Sequence, residues 1–265
     1  MTTRDIQPDC KRIVSMNELK RRKKTRIHLA CSGKGGIGKS LLKILLGHWA
    51  WNLGYSWRGL DLDSENKVFH SIYAEFVEAI TLQQPNGSPN PAELDRLAEL
   101  LEAWIGHVDD IFIDIGAGQL RSLITILTQQ HFAAAFEGLF EIVAYPIVIQ
   151  DPPALLTLPE NIALLEPLHP LWFVVRNLRD GEPTLFDQTN LQSRLLDAGA
   201  VEITIPAASN EALAAFRKSG RPLAEFVQRD SGAKWQHRGE ICTLRDRIGE
   251  EFLRVGVFDK FEDPK

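Results

Sequence analysis

Apolar residues in this chain alternate between short runs of period two and longer stretches that recur every three or four positions, the pattern of strands each followed by a helix. Ile27, Leu29 and Cys31 alternate with Arg26, His28 and Ala30, which predicts a strand over 26–31. Leu41, Leu42, Leu45, Trp49 and Leu53 then share one face of a helix expected over 40–52, stopped by Gly54. A second strand is expected over 55–63, a helix through Leu94, Leu97, Leu101 and Trp104, and a buried apolar strand over 111–114. Further strands are expected at 140–144, 172–177 and 201–205. Helices fall at 152–168, opened by Pro152, at 210–220, and through Leu244, Ile248, Phe252 and Val255. This alternation predicts an α/β fold: a doubly wound, mostly parallel sheet flanked by helices. The turn-rich stretch 83–91 reads as an excursion from the core, not a domain boundary.

The connection between the first strand and its helix carries the chemistry. Gly33-Lys34-Gly35-Gly36-Ile37-Gly38-Lys39-Ser40 is a complete G-x-x-x-x-G-K-[ST] phosphate-binding loop. Its glycines let successive backbone N–H groups turn inward on phosphate oxygens, Lys39 reaches the β and γ phosphates, and the Ser40 hydroxyl ligates Mg²⁺. A strand feeding such a loop also aims a helix N-terminus at the anion. Asp114, closing the apolar run 111–113, has the form in which a carboxylate holds Mg²⁺ through a water. Asp61 and Asp63 stand at the carboxyl end of another strand, where parallel sheets place ligands.

Lys34 is not required by a simple phosphate loop. The motif Lys-Gly-Gly-Ile-Gly-Lys-Ser resembles that of the deviant phosphate-loop ATPases of the MinD/ParA type, over a stretch from Arg26 to about Phe226. The resemblance implies that Lys34 reaches across an ATP-sandwiched homodimer to the partner's nucleotide. It makes Asp63 the residue that orients the attacking water in the first switch, with Asp61 shaping the site. It makes Gly116 to Gln119 the second switch, Asn177 the adenine-recognising amide and Pro206 part of the adenine-side loop. Ser64 and Gly116 stand where the family usually has proline. The implied cofactors are ATP and Mg²⁺, and the implied activity is slow ATP hydrolysis with Lys34, Lys39 and Asp63 as catalytic residues and Ser40, Asp63 and Asp114 at the metal. The switch segments look closest to plasmid-encoded ATPases of conjugal transfer and stability loci, which implies a protein partner from such a system. Three other readings stay open: a MinD-like membrane-positioning ATPase, a metabolic enzyme resembling dethiobiotin synthetase, and a non-hydrolysing binding module.

Composition narrows these. With 265 residues, 44% hydrophobic and 25% charged, the chain can bury a substantial core, and residues 26–265 are expected to form a single domain. No run of about twenty apolar residues and no secretory signal is read, so a cytoplasmic location is expected. Cys10, Cys31 and Cys242 are far apart and form no C-x-x-C, which argues against a disulfide framework or a zinc or iron–sulfur site within one chain. The overall charge is −5, yet residues 1–26 carry +6, with six of the seven residues 20–26 basic. That 1–25 extension, alone or with Arg217, Lys218 and Arg221, suits sequence-independent DNA contact, and equally a solvated lead-in to the first strand. The last helix mixes Glu250 and Glu251 with Arg245, Arg247 and Arg254, unlike a basic membrane-surface helix.

Overall fold

A computed structural model describes residues 24–32, 34–84, 86–116 and 119–258. The basic arm up to Lys23, Cys10, Gly33, Ala117 and Gly118 of the second switch, and the tail from 259 lie outside the described residues.

Seven parallel strands form one sheet in the order β3-β2-β4-β1-β5-β6-β7. They are β1 (Thr25–Cys31), β2 (Trp57–Asp61), β3 (Val77–Ala79), β4 (Asp110–Asp114), β5 (Phe140–Val148), β6 (Leu171–Asn177) and β7 (Val201–Ile205). Because β1 lies at the centre, the loop that follows it sits where the strand order reverses, the place where doubly wound sheets bind ligands. The principal helices in chain order are α1 (Lys39–Asn52), α2 (Val68–Ile72), α3 (Pro91–Trp104), α4 (Leu120–Thr128), α5 (Gln130–Ala135), α6 (Pro152–Leu156) and α7 (Leu158–Leu165). They are followed by α8 (Thr184–Asp187), α9 (Asn190–Asp197), α10 (Asn210–Ser219), α11 (Leu223–Phe226) and α12 (Trp235–Arg254).

Each face of the sheet carries its own apolar layer. On one, α1, α2, α10, α11 and α12 bury Leu42, Leu45, Phe69, Phe216, Phe226, Ile248 and Phe252 against Phe112, Tyr145 and Val175. On the other, α3, α4, α7 and α9 cover Leu29, Ile111, Ile113 and Ala144. Among the described residues no helix is long and apolar enough to cross a membrane.

The structure adjusts several boundaries. The first strand opens at Thr25, and Arg26 belongs to it: its guanidinium donates to Glu141 at 2.6 Å and to the Val257 carbonyl at 3.0 Å, so it is not part of a free basic arm. The strand expected over 140–144 continues to Val148 through Pro146. Pro146 cannot donate to a ladder, and the β5–β6 pairing skips Tyr145 and Pro146. The helix expected over 152–168 is broken after Leu156, because Pro159 lacks the N–H that a continuous helix would bond back to Leu155.

Candidate functional site

The strand carboxyl ends assemble the residues named from sequence. Asp61 and Asp114 are register partners on β2 and β4, and Asn177 and Ile205 are partners on β6 and β7, which sets Pro206 beside Asn177. Between them runs the phosphate loop. Gly38, at φ 108°, delivers the chain into α1, and its carbonyl accepts the first helical bond from Leu42 at 2.9 Å. Lys39 Nζ donates to the Lys34 carbonyl at 3.1 Å and lies 3.5 Å from Ser32 Oγ. Burial lowers the Lys39 pKa, while Asp114 and Asp63 raise it again. A cleft beside Lys39, lined by Ala30, Ser32, Ile115 and Gly116, holds about 20 Å³.

Asp114 is fully buried, and its Oδ2 has no hydrogen-bond partner among the described residues. Burial pushes its pKa up to about 6, against a hydrogen bond from Ser40 and the nearby Lys43 and Lys39. A buried carboxylate oxygen without a partner, beside a serine hydroxyl, is a donor set that fits a hard cation such as Mg²⁺. No group of three or more His, Cys, Asp or Glu among the described residues could hold a metal.

Asp61 and Asp63 are held differently. Asp61 is buried and clamped: Oδ1 accepts from the Asp63 N–H at 3.2 Å and Oδ2 from the His70 N–H at 3.0 Å, fixing α2 to the end of β2. Lys67 reinforces this by donating to the Asp61 and Ile80 carbonyls at 2.9 and 2.7 Å. Asp63 is half-buried at the mouth; its Oδ1 accepts from the Glu65 and Asn66 N–H groups at 2.9 and 3.3 Å, an Asx-type turn. Gly116 passes so close that a Cβ there would lie 3.2 Å from Asp63 Cα. The absence of a side chain at Gly116 thus lets it pack closely against Asp63.

Asn177 is buried, and its side chain faces the loop: Nδ2 donates to the Ile37 carbonyl at 2.8 Å and Oδ1 accepts from the Arg179 N–H at 3.2 Å. Three further residues of the site escaped sequence reasoning. Asp151, between β5 and α6, accepts an ion pair from Lys34 at 2.5 Å. Arg179 donates to the Gly36 carbonyl. Lys43, one turn after Lys39, is fully buried and donates to the His28 carbonyl at 2.7 Å, its pKa pushed down to about 7 by burial. Beneath it His28 bridges Tyr145 Oη and Asp110 Oδ1, both at 2.8 Å. An aspartate just before Pro-Pro, three residues past the end of β5, was the one available signal for Asp151; nothing marked the other two.

No family model matches the chain. Two Escherichia coli proteins named TraL are similar to it: one is 23% identical over 248 residues, covering 89% of this chain and 97% of that protein. The other is 24% identical over 251 residues, covering 90% and 98%. Among solved structures, the MinC:MinD cell division protein complex of Aquifex aeolicus superposes with a TM-score of 0.51 at 16% identity, over 91% of this chain and 99% of that one. The chain has the MinD/ParA phosphate-loop fold. Within that fold the phosphate loop, Asp61, Asp63 and the β6 and β7 ends occupy one rim of the sheet, and Lys34 stands at its outer edge with its side chain half exposed.

Proposed function

We propose that this chain is a Mg²⁺-dependent ATP-binding switch that hydrolyses ATP slowly and pairs with a second copy of itself around two nucleotides, in the service of plasmid transfer, partition or stability. The observation that carries the reading is the convergence of Lys39, Ser40 and the unpartnered Asp114 oxygen at the centre of a parallel sheet. Lys39 would move from the Lys34 carbonyl to the β and γ phosphates, and Ser40 and Asp114 would hold the cation. Mg²⁺, when bound, offsets phosphate charge. Asp63 orients water through Oδ2, since Oδ1 is committed to its own turn. Lys34 is superfluous for phosphate binding within one chain, which favours the switch over a metabolic phosphate-loop enzyme. The plasmid setting is supported by the switch-segment resemblance and by TraL relatives that span nearly the whole chain.

Calorimetric titration of Mg·ATP into wild type and Lys39→Ala, followed by a phosphate-release assay, tests this. Wild type binds and turns over slowly, and a folded Lys39→Ala protein does neither. Near-normal ATP affinity in Lys39→Ala would remove the loop from the site.

A further inference from the structure

Two side chains from the turn after β6 grip the phosphate loop from outside. Asn177 Nδ2 donates to the Ile37 carbonyl at 2.8 Å, and Arg179 Nη1 donates to the Gly36 carbonyl at 2.5 Å. A trans peptide unit is planar and directs its C=O and its N–H to opposite sides. The units whose carbonyls are held are those that carry the N–H groups of Ile37 and Gly38. Pinning each carbonyl toward β6 therefore turns both N–H groups away from β6, toward the concave side on which a phosphate would sit.

The grip is itself built. Arg179 is aligned by Asp180, which accepts from Nε at 2.9 Å and from Nη2 at 2.6 Å, leaving Nη1 for Gly36. Asn177 is 4% exposed, and both of its polar side-chain atoms are engaged by the protein, Nδ2 by Ile37 and Oδ1 by the Arg179 N–H. The approach is so close that a Cβ on Gly38 would lie 2.7 Å from Asn177 Nδ2.

We infer that Asn177 and Arg179, with Asp180 behind them, are positioning residues that pre-set the phosphate-binding N–H groups of Ile37 and Gly38. The inference rests on the nucleotide-binding reading above and deepens it. A base reader and a loop brace differ in what their loss does. Losing a reader changes the choice between bases, whereas losing a brace weakens every ligand that carries the phosphates, by one factor. A third contribution, the mere positive field of the guanidinium, is separated by Asp180. Neutralising Asp180 makes the rim more positive yet frees the Arg179 fork, so a field effect tightens phosphate binding and a brace loosens it.

The experiment titrates Mg·ATP, Mg·GTP and Mg·tripolyphosphate into wild type, Asn177→Ala, Arg179→Met and Asp180→Asn, with thermal unfolding to confirm that each is folded. Arg179→Met is expected to weaken all three ligands by a common factor of about ten, the worth of one charge-assisted hydrogen bond. Asp180→Asn shifts all three the same way by a smaller factor, and Asn177→Ala weakens Mg·tripolyphosphate as well as the two nucleotides. Loss confined to ATP, tighter binding by Asp180→Asn, or unaltered binding by Arg179→Met each overturns the brace. If Asn177→Ala does not fold, the other two variants decide. Wild type that binds none of the three probes overturns the nucleotide reading as well, an outcome distinct from wild type that binds while its variants do not differ from it.

Discussion

At the residue scale the sharpest case is Asp114, a buried carboxylate with one oxygen unpartnered. Leaving such an oxygen unsatisfied costs about 1–3 kcal/mol, a cost that a bound cation relieves. Asp114→Asn should therefore fold and bind ATP weakly, with no gain on adding Mg²⁺; titrations with and without Mg²⁺ check this, and a retained Mg²⁺ effect would move the ligand elsewhere. Asp63→Ala should keep ATP affinity while slowing phosphate release on the order of a hundredfold, because ordering water acts on the transition state and not on the bound ground state. Unchanged turnover would point to another carboxylate, Asp61 being the nearest candidate. Asp61 and Asp114 were legible because each ends a strand that periodicity reveals, and Asp63 because it lies two residues beyond Asp61, where the strand expected to run to 63 in fact stops. Asp151 and Arg179 were not, since their partners Lys34 and Gly36 lie 117 and 143 positions away and only the sheet order brings them together. Asn177 was named from sequence for the base; the structure adds a contact of its amide with the loop backbone, which no spacing within one segment encodes.

At the element scale the sequence conveyed the long, strongly periodic pieces and missed those too short to show a period. β3 has three residues and α2 five, so neither completes a diagnostic repeat, and α4 and α5 were missed as well. The α1–α12 contact shows how a helix pair depends on one small residue: a Cβ on Gly249 would lie 2.0 Å from the Trp49 ring, whose Nε1 donates to the Arg245 carbonyl at 3.1 Å. Gly249→Ala must displace that ring and should cost about 1–3 kcal/mol in urea unfolding; an unchanged midpoint would mean the helices separate freely. His48 Nε2, on the same face, accepts from Asn52 Nδ2 at 2.9 Å, and its pKa is pushed down to about 4, first by burial and then by Arg245. Between about pH 6.5 and 4 the unfolded chain binds a proton at this site that the folded chain refuses. Stability should thus fall by about 3 kcal/mol as pH drops through that window. His48→Gln should flatten the fall, as followed by urea midpoints at pH 4.5 and 7; equal slopes in both proteins would assign the acid sensitivity to other groups.

At the scale of the whole molecule the question is what the rim does when a second copy approaches. Lys34 is committed within its own chain to Asp151, at 2.5 Å, with the lysine side chain 48% exposed. A pair this open to solvent contributes about 0–1 kcal/mol, so it holds the lysine in place without locking it. Two triphosphates brought face to face present a far denser negative charge, and a lysine from each partner would offset that repulsion and support charge developing in the transition state. On the proposed mechanism the Asp151 pair is the resting position and the partner's nucleotide the working one. Sedimentation velocity with Mg·ATP in the hydrolysis-slowed Asp63→Ala background tests both ends. The background protein should form an ATP-dependent dimer, adding Lys34→Ala should leave an ATP-bound monomer, and adding Asp151→Asn should lower the concentration needed for dimerisation by at most about fivefold per protomer, the ceiling set by an exposed ion pair. If the Lys34→Ala protein sediments as the same dimer, the lysine is no interface residue; if Asp151→Asn weakens the dimer, Asp151 acts across the interface and the resting pair is not what restrains Lys34.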